Sequence, residues 1–367
     1  MKPLKVAIDG CGDLGMRTIL PHLSLPDVRS HINVVAVCDR DPRRLAQARA
    51  EFGVTAGYDS IDDLLDKSDA EAVLVTVPAA IHADHALRAI RSGRHVYVQK
   101  PMAHTVAEAD SLIAAAATTS VHIVAAPGQG LWPLFELVRT RIADGAIGVP
   151  YVAYAPLMGW DGYQVHHPTD PTWCFAAGCG PFRDHGVYGL HTLTTLLGPV
   201  ARLTALSRCV TDTRLWKGKT LPVTEDDLTT VLLAFESGAQ GVLSEAWIAS
   251  YGPATAFRIL GLEGTIQGSD TFAGHPAIFP LSATIDRRGV PMETLTIDPA
   301  QVPFLTGGHL ELPNPHLWAD IRHLAECVRG EVAPRADATL ARHTVDILES
   351  AFLAARTGTT ISLTTRF

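Results

Sequence analysis

The sequence predicts two domains of different fold class: a doubly wound α/β domain over residues 1–127 and an α+β domain over residues 128–367. Its length of 367 residues is typical of two domains. The first third alternates short valine-rich runs with helical stretches, which is the rhythm of a parallel sheet covered by helices. The remainder places strand-like runs next to one another with short links.

Five short apolar runs predict the parallel strands of the first domain, because near-continuous runs are typical of strands buried on both faces. These runs are 4–9, 33–39, 71–77, 95–99 and 121–126. Between them, Pro42 is expected to begin a helix that ends at Gly53. Thr105 and Glu108 have the spacing of a capping box, which predicts the start of another helix.

Six strand-like stretches predict a large, mainly antiparallel sheet in the second domain, because short links favour antiparallel pairing. They are 150–160, 201–210, 228–238, 239–250, 255–268 and 282–289. Helical patterns interrupt this sheet at about 133–145, 184–197, 316–330 and 338–356.

Composition excludes several classes of protein. Hydrophobic residues make up 47% and charged residues 19%, as in an ordinary folded domain. The net charge of -8, without a Lys/Arg run longer than two residues, argues against nucleic acid and anionic membranes as partners. Six cysteines without a C-x-x-C pair indicate reduced thiols. The chain enters an apolar strand at once and has no run of membrane-spanning length, so we expect a cytoplasmic protein.

A glycine motif follows the first predicted strand. Gly10, Gly12 and Gly15 have the spacing G-x-G-x-x-G, with Asp13 and Leu14 between the last two. The motif alone is weak evidence, but a strand precedes it and a helix-compatible segment follows it. There the glycines allow a tight turn, close approach to a pyrophosphate and close helix–strand packing. We therefore predict a Rossmann dinucleotide-binding loop.

The second strand ends at Asp39, where the acid that binds the ribose hydroxyls is expected. A carboxylate at this position repels a 2′-phosphate and so favours NAD. Arg40 leaves NADP open, because an arginine can stack on adenine or pair with that phosphate.

Two further stretches carry a family resemblance: "TVPAAIHADHALRAIRSGRHVYVQKPMA" over 76–103 and "GCGPFRDHGVYGLHTLTTLLGP" over 178–199. They resemble the Gfo/Idh/MocA family of glucose–fructose oxidoreductase and inositol dehydrogenase-like enzymes, and the resemblance extends over nearly the whole chain. It implies an NAD(P)-binding domain followed by an α+β domain whose open sheet serves oligomerisation. A homodimer or homotetramer is therefore expected.

The resemblance also implies site residues. Lys100 matches the lysine of the family's E-K-P motif, and Asp184 and Tyr188 match its D-x-G-x-[HY] motif. Residues expected to line the cofactor cleft are Thr76, Pro78, His82, Gln99 and Lys100.

These residue types suit hydride chemistry, because oxidation of a secondary alcohol requires a group that takes the hydroxyl proton. Lys100 follows a strand at the carboxyl edge of the sheet, where ligands bind. Asp184 and Tyr188, four residues apart, are expected on one helix face, opposite an apolar core-facing stripe. Tyr188 can relay the proton and Asp184 can orient the substrate. Non-catalytic alternatives stay open: Lys100 as a surface lysine, Tyr188 as a core tyrosine and Asp184 as a helix cap.

The chain departs from the family pattern in three places. Gln99 replaces the motif's glutamate and removes a negative charge beside Lys100. His185 and His191 lie near the Asp184 motif, where they either assist proton transfer or hydrogen-bond within the fold. The family's R-F-x-P segment reads "GLWP" over 130–133, so its arginine is missing.

The segment 159–175 is rich in aromatic residues and histidine, and we expect it to overhang the cleft, although a packed loop is an equal alternative. The residues expected to contact substrate are Trp160, Tyr163, His166, His167, Arg183, His185 and His191. Spacings typical of metal sites do not occur, so no metal is predicted.

The sequence thus predicts an NAD-dependent dehydrogenase, with NADP possible, that acts on a secondary alcohol of a small-molecule sugar, cyclitol or derivative. Two alternatives remain. One is a redox-neutral glycosidase or epimerase with tightly bound NAD. The other is a non-catalytic NAD-binding regulator, against which the joint presence of Lys100, Asp184 and Tyr188 argues.

Overall fold

A computed structural model of the chain describes residues 2–158, 169–247, 256–268, 271–272, 275–276 and 279–367. The chain divides into two compact units. The first comprises Met1–Gly128 and Pro299–Val345, and the second comprises Gln129–Asp298 and Asp346–Phe367. This differs from the predicted single division after residue 127, because the chain returns to the first unit over Pro299–Val345.

Helices occur throughout the described residues. They are α1 (Leu20–Leu23), α2 (Pro42–Phe52), α3 (Ile61–Lys67), α4 (His82–Arg91), α5 (Val106–Thr119), α6 (Pro133–Ala143), α7 (Val187–Leu197), α8 (Pro315–Val328) and α9 (Ala338–Thr357). Both predicted helix signals in the first unit are confirmed: Gly53 ends α2 in a left-handed conformation, and Thr105 and Glu108 form a complete capping box on α5.

The first unit contains a six-stranded parallel sheet. Its strands are β1 (Leu4–Asp9), β2 (Ile32–Cys38), β3 (Ala56–Tyr58), β4 (Ala72–Val75), β5 (His95–Val98) and β6 (Ile123–Ala125). They lie in the order β3-β2-β1-β4-β5-β6, which is the order of a dinucleotide-binding Rossmann domain. The predicted parallel sheet is confirmed. Sequence patterns missed only the edge strand β3, which is three residues long and half-buried.

The return segment completes this unit. Helix α8 packs against β5 and β6. The Ala125 amide of β6 donates to the Ala336 carbonyl, at 3.0 Å. The sequence held no local signal for this return, because it depends on packing between residues far apart in the chain.

The second unit contains a nine-stranded sheet. Its strands in chain order are β7 (Pro150–Met158), β8 (Val200–Arg208), β11 (Leu228–Phe235), β12 (Gln240–Ala246), β13 (Arg258–Gly261), β14 (Gly264–Gly268), β17 (Ser282–Arg287), β18 (Val290–Thr296) and β19 (Ile361–Ser362). Two short hairpins lie outside it: β9 (Thr213–Trp216) with β10 (Lys219–Pro222), and β15 (Thr271–Phe272) with β16 (His275–Pro276).

The order of the large sheet is β18-β17-β14-β13-β7-β12-β11-β8-β19. Its pairs are antiparallel except β7 with β12, so the predicted mainly antiparallel sheet is confirmed. Helix α7 packs against β7 and β12. Side chains alternate between the two faces: Leu203 and Val231 are buried, whereas Leu206 and Leu232 are 79% and 51% exposed. The second face of the sheet is therefore open.

Within the described ranges, no helix combines the length and the apolar character needed to cross a membrane.

Candidate functional site

The glycine loop after β1 has a backbone that only glycine can form. Gly10 has a φ of +111°, and a Cβ there would lie 2.8 Å from the Thr76 main chain. A Cβ on Gly15 would lie 2.5 Å from the Gly10 carbonyl oxygen. The hydroxyl of Thr76, the residue directly after β4, lies 2.8 Å from that same oxygen and donates to it, so Thr76 helps to fix the shape of the loop.

The middle of this loop faces open space. A Cβ on Gly12 would meet no heavy atom within 4 Å in the described part of the chain outside its neighbours. The chain becomes helical at Asp13, and Leu14, half-buried, follows it in the first turn. Asp13 pairs with Arg17 at 3.1 Å. A helix N-terminus behind an open glycine turn fits a pyrophosphate, because the first N–H groups of a helix have no intrahelical partner.

Asp39, directly after β2, is held against this loop. One of its carboxylate oxygens accepts from the Cys11 amide at 2.9 Å, and the other accepts from the Asp41 amide at 2.8 Å. Both oxygens keep lone pairs with which they can accept further hydrogen bonds. Arg40 follows and is exposed. The acid is therefore fixed beside the glycines, where the ribose-binding carboxylate is expected.

Cys11, between the first two glycines, is buried. Burial raises the pKa of its thiol to about 12, and the carboxylates of Asp39 and Asp9 add to that rise. The thiol stays protonated at neutral pH and is not a nucleophile.

His82, at the start of α4, connects two loops at the carboxyl edge of the sheet. Its Nδ1 lies 2.9 Å from the Pro101 carbonyl oxygen and its Nε2 lies 2.8 Å from the Val77 carbonyl oxygen. Burial lowers the pKa of His82, although both carbonyl contacts oppose this. With both nitrogens directed at the main chain, His82 positions the segment that carries Lys100. Direct contact between His82 and a cofactor stays a prediction.

Lys100 lies two residues after the end of β5 and is half-buried, and its peptide bond to Pro101 is cis. Gln99 before it is buried, and its amide donates to the Tyr97 hydroxyl at 2.5 Å. Pro78, in the loop after β4, is exposed. The carboxyl edge of this sheet thus carries both the glycine loop and the lysine.

In the second unit, the predicted D-x-G-x-Y motif lies on one continuous helical segment over 180–197. This segment contains a π-helical turn at Phe182–Gly186, followed by α7. Asp184 lies inside the π turn and is not the residue that caps the helix. Single π turns within helices are frequent at functional sites.

The expected division of α7 into a site face and an apolar core face is wrong. Every residue of α7 except Thr195 is buried, including Tyr188 and His191, because the helix packs on the large sheet and against α6. The expected α-helical spacing from Asp184 to Tyr188 is also wrong, since the π turn contains extra residues per turn.

His185 joins Tyr188 to a buried carboxylate. Its Nδ1 lies 3.4 Å from the Glu245 carboxylate on β12, and Glu245 is completely buried. The rings of His185 and Tyr188 meet edge to face, with centroids 5.6 Å apart. Phe279 packs on Tyr188 in the same manner, at 6.0 Å. Glu245 therefore contacts His185, and His185 contacts Tyr188, on the face of the sheet that α7 covers.

Arg183 lies with its guanidinium 4.5 Å from the centre of the Phe352 ring. Burial lowers its pKa, against the opposing charges of Glu225 and Glu349. Its role in substrate binding stays a prediction, as does that of His191.

Comparisons with known proteins agree with this geometry. Residues 4–126 match the NAD-binding Rossmann fold of the Gfo/Idh/MocA oxidoreductase family, and residues 135–267 match the family's C-terminal domain. The chain belongs to the Gfo/Idh/MocA family. The predicted family resemblance is thereby confirmed.

Relatives of this family member include the D-apiose dehydrogenase of Paraburkholderia graminis, which is 25% identical over 99% of this chain and 90% of its own length. An oxidoreductase domain protein from Kribbella flavida has the same fold, with a TM-score of 0.83 and 21% identity over 99% of this chain and 100% of that one. So does an inositol dehydrogenase homologue from Azotobacter vinelandii, solved with NADH and myo-inositol, with a TM-score of 0.77 and 19% identity over 98% of each chain.

Four predicted substrate residues of this Gfo/Idh/MocA protein lie outside the described residues: Trp160, Tyr163, His166 and His167. Among the residues that the structure does describe, no group of three or more His, Cys, Asp or Glu side chains could hold a metal ion.

Sequence patterns missed three residues: Asp9, His85 and Glu245. Asp9 offered one signal, since it is a charged residue in line with the apolar run of β1. Its partner His85 lies 76 residues away, and the partners Glu245 and His185 are 60 residues apart. Only the fold brings these side chains together.

Proposed function

We propose that this protein is an NAD-dependent dehydrogenase that interconverts a secondary alcohol of a sugar, cyclitol or related compound and the corresponding ketone. The observation that carries the proposal is the glycine loop with Asp39 fixed against it, in a domain that matches the family's NAD-binding fold. The names of the relatives support the substrate class, since they include D-apiose dehydrogenase.

NAD is the preferred cofactor in this proposal. Two main-chain amides hold the Asp39 carboxylate, so the side chain does not turn away to admit a 2′-phosphate without losing both hydrogen bonds. A fixed negative charge beside the ribose repels that phosphate. Arg40 is exposed and is free of this constraint.

Nicotinamide, when bound, supplies the carbon that exchanges hydride with the alcohol carbon. The chain's own residues handle the proton. Lys100, half-buried at the carboxyl edge of the sheet, takes the hydroxyl proton. Tyr188 shares or relays it, and Asp184 orients the hydroxyl. Arg183, His185 and His191 contribute to substrate binding in the same proposal.

The open face of the large sheet supports self-association into a dimer or tetramer. Leu206, Leu232 and Tyr154 expose 79%, 51% and 39% of their surface there. Burying such side chains against a second copy removes apolar area from water.

The test is the absorbance of reduced nicotinamide, with NAD or NADP and a panel of sugars and cyclitols. We expect one substrate to reduce NAD, and Lys100→Ala to lower kcat about 10²–10⁴-fold, the usual contribution of a positioned acid–base group. The matched control is Lys67→Ala, an exposed lysine paired with Asp63 on α3, which leaves kcat unchanged. Cofactor that stays bound without net reduction on any substrate would contradict the proposal.

A further inference from the structure

A buried carboxylate lies directly before the glycine loop. Asp9, the last residue of β1, is 2% exposed, and one of its oxygens lies 2.6 Å from Nδ1 of His85. A buried carboxylate is costly unless it is paired and hydrogen-bonded, and Asp9 has two such partners: the His85 imidazole and the thiol of Cys38. The bond is short enough to be charge-assisted.

The pair spans the point where this sheet changes direction. In the order β3-β2-β1-β4-β5-β6, the chain turns back between β1 and β4. Asp9 ends β1, and His85 lies on α4, the helix that follows β4. Open α/β sheets bind ligands in the crevice outside the carboxyl ends of their strands at this switch point. The Asp9–His85 bond therefore lies at the switch point, beside the crevice in which such sheets bind ligands.

Of the two side chains, only the histidine reaches the surface. The His85 side chain is 18% exposed, whereas that of Asp9 is 2% exposed. Since Nδ1 faces Asp9, Nε2 lies on the far side of the ring from the carboxylate. The exposed part of the pair is thus the imidazole, with one nitrogen tied to the buried acid.

The charges around His85 come from three elements. Burial lowers its pKa, but the hydrogen bond and the charge of Asp9, with Asp84 in addition, raise it more, so the net pKa is raised. Arg88 opposes this rise, and its own charge is shared with Asp62 of α3 and with Asp84. The proton on Nε2 is therefore retained to a higher pH than in a free histidine.

We propose that His85 is a cofactor-binding residue whose Nε2–H donates to an oxygen in the phosphate–adenosine half of the dinucleotide, with Asp9 holding the ring in place. The inference rests on the proposed function, because it requires a bound dinucleotide. The donor is present on the imidazolium. Since Nδ1–H is directed at Asp9, loss of one proton leaves Nε2 as an acceptor.

The experiment measures the Kd of the full-length protein for NADH and for ADP-ribose by calorimetry, from pH 6 to pH 9. For the wild type we expect both affinities to fall as the pH rises through the raised pKa of His85. His85→Leu weakens both ligands about tenfold at pH 6. His85→Gln keeps a side-chain N–H and loses the pH dependence. Asp9→Asn moves the midpoint to lower pH.

The matched control is His122→Gln. His122 stacks on His95 at the amino ends of β5 and β6, the opposite edge of the same sheet, with ring centroids 5.4 Å apart. We expect the His122→Gln variant to keep the wild-type affinities for NADH and ADP-ribose and their pH dependence. Melting temperatures check that each variant is folded, and His85→Gln decides the test if Asp9→Asn does not fold.

The inference is overturned if folded His85→Leu and His85→Gln bind both ligands with the wild-type Kd and pH dependence. Loss of NADH affinity without loss of ADP-ribose affinity also overturns it, because the contact would then lie in the nicotinamide half. Wild-type protein that binds no dinucleotide overturns the proposed function together with this inference. Wild-type binding with unaffected His85 variants overturns the inference alone.

Discussion

In each of the two units, a carboxylate on a strand of that unit's main sheet pairs with a histidine, and these two pairs differ in access. Asp9 and His85 in the first unit are 2.6 Å apart, and the histidine is partly exposed. Glu245 and His185 in the second unit are 3.4 Å apart, and both are buried. The same pair of residue types therefore occurs in two settings: the first pair exposes part of its imidazole, whereas the second is enclosed and contacts the ring of Tyr188.

The difference follows from where each acid lies on its strand. Asp9 is the final residue of β1, at the edge where the loops begin. Glu245 is the penultimate residue of β12, and its side chain lies on the same covered face as Leu243. A histidine that pairs with an acid at a strand end lies near the crevice, whereas one that pairs with an acid on a covered sheet face is surrounded by other side chains.

The largest expected effect concerns the buried pair, Glu245 and His185: if this pair does not stabilise the fold, the comparison fails. Glu245→Ala leaves His185 without its acid, and removing one partner of a buried pair typically costs about 3–5 kcal/mol of unfolding free energy. Urea denaturation measures this change. The control is Glu236→Ala, because Glu236 is 44% exposed, pairs with Arg366 and is expected to contribute about 0–1 kcal/mol. Equal losses for the two variants would contradict the assignment of Glu245 as a buried partner.

A buried histidine whose ring contacts a carbonyl and a second histidine sharpens the comparison. His22 is buried, its Nε2 donates to the Pro313 carbonyl at 2.9 Å, and its Nδ1 faces Nδ1 of His309 at 2.8 Å. Burial lowers its pKa to about 4, from about 6.5 in the unfolded chain. Below pH 6.5 the unfolded state therefore binds the proton first, and the unfolding free energy falls by up to about 3 kcal/mol as the pH drops to about 4.

Urea titrations at pH 7 and pH 4.5 measure that loss. His22→Gln keeps a donor for Pro313 and does not titrate, so its unfolding free energy changes less between these two pH values. His85→Gln is the control: the pKa of His85 is raised in the folded state, so removing this group does not reduce the loss of unfolding free energy at low pH. An unaltered pH dependence in His22→Gln would show that His22 is not a source of acid sensitivity.

The partly exposed pair, Asp9 and His85, has the smallest expected effect on the unfolding free energy. Its pH dependence has the opposite sign to that of His22. Because the pKa of His85 is raised in the folded state, its stabilising contribution is complete below about pH 6.5 and disappears as the pH rises through the raised value. We expect His85→Gln to lose on the order of 1 kcal/mol more unfolding free energy, relative to wild type, at pH 6 than at pH 9. A difference that grows with pH would contradict this sign.

Local patterns predicted much of this molecule. Valine-rich runs gave the buried strands of the parallel sheet, since such strands need apolar side chains on both faces. The capping box of Thr105 and Glu108 is confirmed, because capping depends on residues three apart. The glycine spacing identified the loop whose backbone needs Gly10 and Gly15.

The features that the sequence does not predict are short strands, a change of helix register and contacts between residues far apart in the chain. The short strands β3, β9 and β10 have three or four residues each, too few for a period to be read. The π turn at Phe182–Gly186 has no recognisable sequence pattern, so the sequence predicts the wrong helical register for Asp184. Both acid–histidine pairs join elements that only the folded sheets bring together.

Because Pro299–Val345 belongs to the first unit, it limits how gene segments can be exchanged between related proteins by recombination. The gene segment for Met1–Gly128 encodes β5 and β6 but not α8, the helix that packs on them. A recombination breakpoint after Gly128 would therefore separate a sheet from its own cover. A chimaera that carries the whole dinucleotide-binding unit therefore needs two inserts from the same parent, Met1–Gly128 and Pro299–Val345. We expect such chimaeras to be more stable than those whose two inserts come from different parents.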